Sequence, residues 1–126
     1  MIDTKNRNVL VLAYIGDAIY ETYIRTYLIN KSYSKVNELY KESIKYVSAK
    51  AQAEFIKQLL DNNFFIDEEI DIIKRARNHK SHNNKSTDII TYKNATSLEA
   101  IIGYHYLNKN EERIKEIMSF ILGEKC

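Results

Sequence analysis

VLVLAYIGDAIYETYIRTYLI, running from Val9 to Ile29, is the stretch around which the chain is organised. Val9, Leu12, Ala13, Ile15, Ile19, Tyr23, Ile24, Tyr27 and Leu28 recur with a helical period and cover more than one face, the pattern of a central buried helix, expected from about Asn6 to Asn30. In its middle, directly behind Gly16, stands the acid Asp17. Removing an ionised carboxylate from water costs several kcal/mol unless a cation or hydrogen-bond donors compensate it. Asp17, Glu21 and Arg25 exclude a membrane span, and the start of the segment has neither the basic end nor the cleavage site of an export signal. A cytoplasmic protein is expected.

The composition points the same way. The 126 residues contain no proline and three glycines, and charged residues separate short apolar groups rather than alternating with them. One all-helical domain over residues 1–126 is expected. The single cysteine, Cys126, excludes an internal disulfide, and no Cys or His spacing suggests a structural zinc site.

Beyond the first helix, a turn over Asn30 to Ser34 offers Ser34 as an N-cap. A second helix presents Val36, Leu39, Tyr40, Ile44 and Val47 on one stripe, and a third, broken from it near Ser48, carries Phe55, Ile56, Leu59 and Leu60. Asn62 and Asn63 end it. Phe64, Phe65 and Ile66 then read as an apolar plug before a cap at Asp67, and a helix with Ile70 and Ile73 follows. Helical patterning stops near Asn78 in a polar loop over residues 81–86. It resumes from Asn94 to Asn108, and a last helix from Asn110 places Ile114, Ile117, Met118, Ile121 and Leu122 before Gly123, a natural stop.

Glu99 is the second acid in apolar company, among Ala95, Leu98, Ala100, Ile102 and Gly103. Small residues beside both acids would let two helices cross closely with both carboxylates in the seam. Such oxygen ligands suit a hard divalent cation, Mg²⁺ or Mn²⁺. Two plainer readings stay open: Thr96 and Glu99 have the spacing of a capping box, and Asp17 can pair with an arginine or with backbone donors. Glu21 is placed as a third ligand or, with Arg25 one turn on, in an i, i+4 ion pair.

The net charge is +2, but it is unevenly spread. Lys74, Arg75, Arg77, Lys80 and Lys85 lie in a stretch without acids between Asp71 and Asp88, so the rest of the chain is net acidic. His79 and His82 fall within this segment with no acid near them, which argues against a metal pair. The segment reads either as a solvated loop or as a contact for RNA.

Leu12-Ala13-Tyr14-Ile15-Gly16-Asp17-Ala18 resembles the signature helix of the ribonuclease III family, approximately Leu-Glu-Phe-Leu-Gly-Asp-Ala. Ser97-Leu98-Glu99-Ala100-Ile101-Ile102-Gly103 resembles its second acidic motif, Asp-x-x-Glu-Ala before an apolar helix. The short length, the run from Val47 to Glu54 and the run from Lys74 to Ser81 further resemble the Mini-ribonuclease III sub-family, which is a catalytic domain without a double-stranded-RNA-binding domain. Two family acids are replaced, one by Ala13 and one by Thr96, a departure that this sub-family shares.

The resemblance implies an all-α ribonuclease III-like helical bundle that forms a homodimer. It implies cleavage of double-stranded RNA to 5′-phosphate and 3′-hydroxyl ends, with the paired stem of precursor 23S ribosomal RNA as the substrate. Asp17 and Glu99 become the catalytic metal-binding acids, Mg²⁺ the cofactor, for which Mn²⁺ can substitute, and Thr96 and Glu21 supporting residues around them. Lys74, Arg75, Arg77, Lys80 and Lys85 become RNA contacts, with no membrane partner and no organic cofactor. The rival expectations are a catalytically inactive module of the same fold that binds RNA or the ribosome, and a purely structural helical dimer.

Overall fold

Six α-helices make up the computed structural model, which describes residues 4, 6–31, 35–79 and 88–123. In chain order they are α1 (Val9–Asn30), α2 (Val36–Val47), α3 (Ala49–Asp61), α4 (Asp67–Asn78), α5 (Ile89–Leu107) and α6 (Glu111–Leu122). No strand occurs among the described residues. No helix among them is long and apolar enough to cross a membrane.

Helix α5 is the axis of the bundle. From Ala95 to His105 every residue except Glu99 is buried, and α1, α3 and α4 pack around it. Helix α1 meets it through two glycines. A Cβ on Gly16 would stand 1.7 Å from the carbonyl oxygen of Glu99, and one on Gly103 would stand 1.9 Å from that of Leu12. Neither position has room for a methyl group, so the two backbones touch. This contact is what places Asp17, the next residue, beside Glu99.

The central helix of the sequence reading is therefore α5 rather than α1. Helix α1 buries one side through Leu12, Ala13, Gly16, Tyr20, Ile24 and Leu28, while Val11, Tyr14 and Ile29 are 44%, 82% and 59% exposed. It starts at Val9, not Asn6, because Asn8 caps it by accepting the Leu10 N–H at 2.8 Å. Ser34, the expected cap of α2, lies outside the described residues. The apolar stripe expected along α2 is split: α2 has no buried residue, and Val36, Tyr40 and Ile44 face solvent.

The break at Ser48 is where it was expected. Ser48 leaves the helical region with ψ 152° and caps α3 by accepting the Ala51 N–H. Of the expected plug, Phe65 is buried and Phe64 half-buried, but Ile66 is exposed. Asp67 is the first helical residue of α4 rather than its cap; Ile66 occupies that position, and its N–H donates to the Glu69 carboxylate three residues on. Helix α5 begins at Ile89, earlier than Asn94, because Asp88 caps it by accepting both the N–H and the hydroxyl of Thr91. Gly123 ends α6 in the left-handed conformation at φ 69°.

Candidate active site

Asp17 is exposed on α1, and Glu99 is half-buried on α5. The desolvation problem therefore belongs to Glu99, not to Asp17. Burial first, then the hydrogen bond and charge of the adjacent Asp17 carboxylate, push the Glu99 carboxyl up to about 8. The Gln52 amide acts in the opposite sense: from α3, Gln52 Nε2 donates to Glu99 Oε2 at 3.5 Å. Gln52 is 3% exposed. Nothing in its sequence position on α3 marks it as polar by need; only the α3–α5 packing does.

Because α5 begins at Ile89, Thr96 lies two turns inside it and cannot cap its start, which removes the capping-box reading of Thr96 and Glu99. Thr96 is buried, and its hydroxyl donates to the Tyr92 carbonyl at 2.9 Å, one turn back. Glu21 pairs with Arg25 at 2.9 Å and is also one of the charges that raise Glu99. It thus stands beside the pair of acids while bound to its own helical neighbour.

The basic segment does not form one patch over the described residues. Lys74 and Arg75 line a hollow with Asn8, Val9 and His79 at the start of α1, where Arg75 donates to the Arg7 carbonyl at 3.1 Å. Arg77 turns to a different cleft between α3 and the start of α5, shared with Lys50, Lys57, Glu54 and Asp61. Lys80 and Lys85 lie outside the described residues.

A second buried acid escaped the sequence reading. Glu69 is 1% exposed and receives His105 Nε2 at 2.7 Å, Arg113 Nε and Nη2 at 2.8 Å each, and the Ile66 N–H at 2.9 Å. Burial alone would raise its carboxyl, but Arg113, His105 and the Ile66 amide outweigh burial and hold it down to about 2. With every oxygen occupied by protein donors, this cluster ties α4, α5 and α6 together and leaves no room for chemistry.

Asp17 and Glu99 are the opposite case. Two carboxylates are held together, and one is raised by the other, which is the arrangement a divalent cation relieves. No third Asp, Glu, His or Cys completes a metal-binding group among the described residues. That donor set fits Mg²⁺, which takes one or two carboxylates and keeps several waters.

The Ribonuclease III domain model matches residues 10–110. The Mini-ribonuclease 3 of Staphylococcus aureus is 48% identical over 116 residues, covering 91% of this chain and 87% of that protein. The Mini-ribonuclease 3 of Clostridium tetani is 46% identical over 123 residues, covering 96% of this chain and 80% of that one. A crystal structure of a Fusobacterium nucleatum protein superposes with a TM-score of 0.88 at 37% identity, covering 98% of this chain and 99% of the other.

Proposed function

From the premise that this chain belongs to the ribonuclease III family, and is therefore an endoribonuclease, we propose that it hydrolyses double-stranded RNA in a Mg²⁺-dependent reaction at a centre made by Asp17 and Glu99. The observation that carries this reading is the glycine-lined crossing of α1 and α5, which sets Glu99 against Asp17; burial, and then the neighbouring Asp17, lift its carboxyl to about 8.

Asp17 and Glu99 would hold the ion. Bound there, it would neutralise charge on a backbone phosphate and activate a water. The chain's own residues do the rest. Glu99 gives up its proton when the cation binds, since a carboxylate ligates only when ionised. Gly16 and Gly103 fix the spacing of the two acids, and Glu21 adds negative charge beside them. In the hydrolysis, the water oxygen bonds to phosphorus, the bond from phosphorus to the 3′ oxygen breaks, and that oxygen takes up a proton. The products are a 5′-phosphate and a 3′-hydroxyl.

Lys74, Arg75, Arg77, Lys80 and Lys85 attract the phosphate backbone. A-form RNA is read mainly by shape and backbone, so a regular stem is selected with modest sequence preference. The paired stem of precursor 23S ribosomal RNA is such a substrate, and the cytoplasm is where it is made. The chain acts as a homodimer: Tyr14, at 82% exposure, and the open α2 stripe of Val36, Tyr40 and Ile44 form apolar surface of the kind that a second copy covers.

Ala13 and Thr96, standing where the family has acids, favour one rival, a non-catalytic RNA-binding module. A cleavage assay on a long RNA duplex with Mg²⁺, and with EDTA as control, separates the two. Cleavage that stops with EDTA and in Asp17→Asn, while that variant still folds and binds RNA, is expected; undiminished turnover in Asp17→Asn would sink the assignment.

A further inference from the structure

We propose that Gln52 is a positioning residue for Glu99, whose buried amide fixes the carboxylate beside Asp17. The inference rests on the reading of Asp17 and Glu99 as the metal-holding pair.

Helix α3 buries Ile56 and Leu59, as a packing helix should, and with them one polar side chain, Gln52. A buried amide without a partner is costly, so its place needs a cause. Its Nε2 lies 3.5 Å from Glu99 Oε2, at the long end of a hydrogen bond. Glu99 reaches across from a helix 47 residues away in sequence.

The position of that amide is set by the same helix that carries Asp17. Tyr20, fully buried one turn beyond Asp17, donates its hydroxyl to the Tyr46 carbonyl at 2.7 Å, at the end of α2. Two residues later Ser48 turns the chain into α3, and the Gln52 N–H donates to the Ser48 carbonyl at 3.0 Å in the first turn. Asp17, the α2–α3 joint and Gln52 are thus mechanically linked. With Ala13 and Thr96 in place of the family's acids, the neutral Gln52 amide supplies a side-chain donor to Glu99. An amide donor holds one Glu99 oxygen and leaves the other for the cation, adding no negative charge to the site.

The test uses Mn²⁺ alone as the probe, titrated into the full chain and followed by electron paramagnetic resonance. Gln52→Met keeps the volume and removes the donor. It is expected to weaken Mn²⁺ binding about tenfold or more, in the range seen when partners of metal ligands are removed. The Mg²⁺ concentration for half-maximal cleavage should rise by the same factor, with kcat recovered at saturating Mg²⁺ and KM for the duplex unchanged. A role in packing alone would move none of these. Should Gln52→Met not fold, Gln52→Asn, which keeps the amide but shortens its reach, is expected to show the same loss.

Unchanged Mn²⁺ affinity in a folded Gln52 variant, with binding lost in Glu99→Gln, overturns the positioning role alone. Mn²⁺ binding and cleavage that survive Glu99→Gln overturn the metal site on which it rests.

Discussion

Gly16 lies against the carbonyl oxygen of Glu99 so closely that a Cβ there would stand 1.7 Å from it. The contact is backbone to backbone, and it joins the two acids' helices one residue away from Asp17. Its consequences for stability and for chemistry can be measured separately.

Gly16→Ala is expected to lose more than the ~1–3 kcal/mol of an overpacked core, because a carbonyl fixed in α5 cannot step aside as a side chain can. Chemical denaturation measures the loss. A variant of native stability that still cleaves RNA would show that α1 and α5 need not touch.

Glu99 makes stability depend on pH and on Mg²⁺ together. Its carboxyl is raised in the folded chain from 4.5 to about 8. A group raised by folding contributes stability that is fully present below its unfolded value and is lost as pH rises through its folded value. The metal-free protein should therefore lose stability between about pH 5 and 8, and Mg²⁺ should restore more of it at pH 8 than at pH 6. Melting curves at both pH values, with and without Mg²⁺, check this. An equal gain at both would overturn it.

Glu69 has the opposite sign. Its carboxyl is held down from 4.5 to about 2, so its contribution is present above about pH 4.5 and lost as pH falls toward 2. Glu69→Ala leaves Arg113 and His105 without their shared anion. A loss of about 3–5 kcal/mol at neutral pH is expected, as for a broken buried pair. Calorimetry should show a lower Tm, with the difference from the unsubstituted chain shrinking in acid.

These residues show what was legible in the sequence and what was not. Helical periodicity exposed all six helices, and small residues beside Asp17 and Glu99 foretold the crossing. The Glu69 cluster joins residues 36 and 44 positions apart, a distance over which no local spacing rule operates. The start of α5 lies outside the apolar pattern because its first turn is capped by Asp88 through Thr91 and exposes Ile89 and Ile90, ahead of the buried run that begins at Ala95. Apolar residues also misled: Val36, Tyr40 and Ile44 have the spacing of a core stripe, yet they face water.

Arg77 and Arg75 should separate in their effects on stability. Arg77→Gln is expected to weaken duplex binding and to reduce the slope of log affinity against log salt by about 0.7–0.9, the share of one phosphate contact. Arg75→Gln should in addition lower thermal stability, because it removes the bond to the Arg7 carbonyl. Salt titrations of the two variants check this, and an unchanged slope in Arg77→Gln would remove that residue from the RNA surface.

Tyr14→Lys should shift the chain toward monomer in sedimentation while leaving its helix content intact, since the side chain is already 82% exposed in the single copy. A dimer that persists unchanged would place the subunit contact elsewhere.

Helix α2 differs from its neighbours in how it is fastened. None of its residues is buried, and the Tyr20 hydroxyl clasps it only near its last turn, at Tyr46. A segment with so little apolar anchorage opens at a lower free energy than the whole chain unfolds. In a single copy its amides should therefore exchange faster than those of the α1–α5 frame, and a second copy seated on Val36, Tyr40 and Ile44 should slow them.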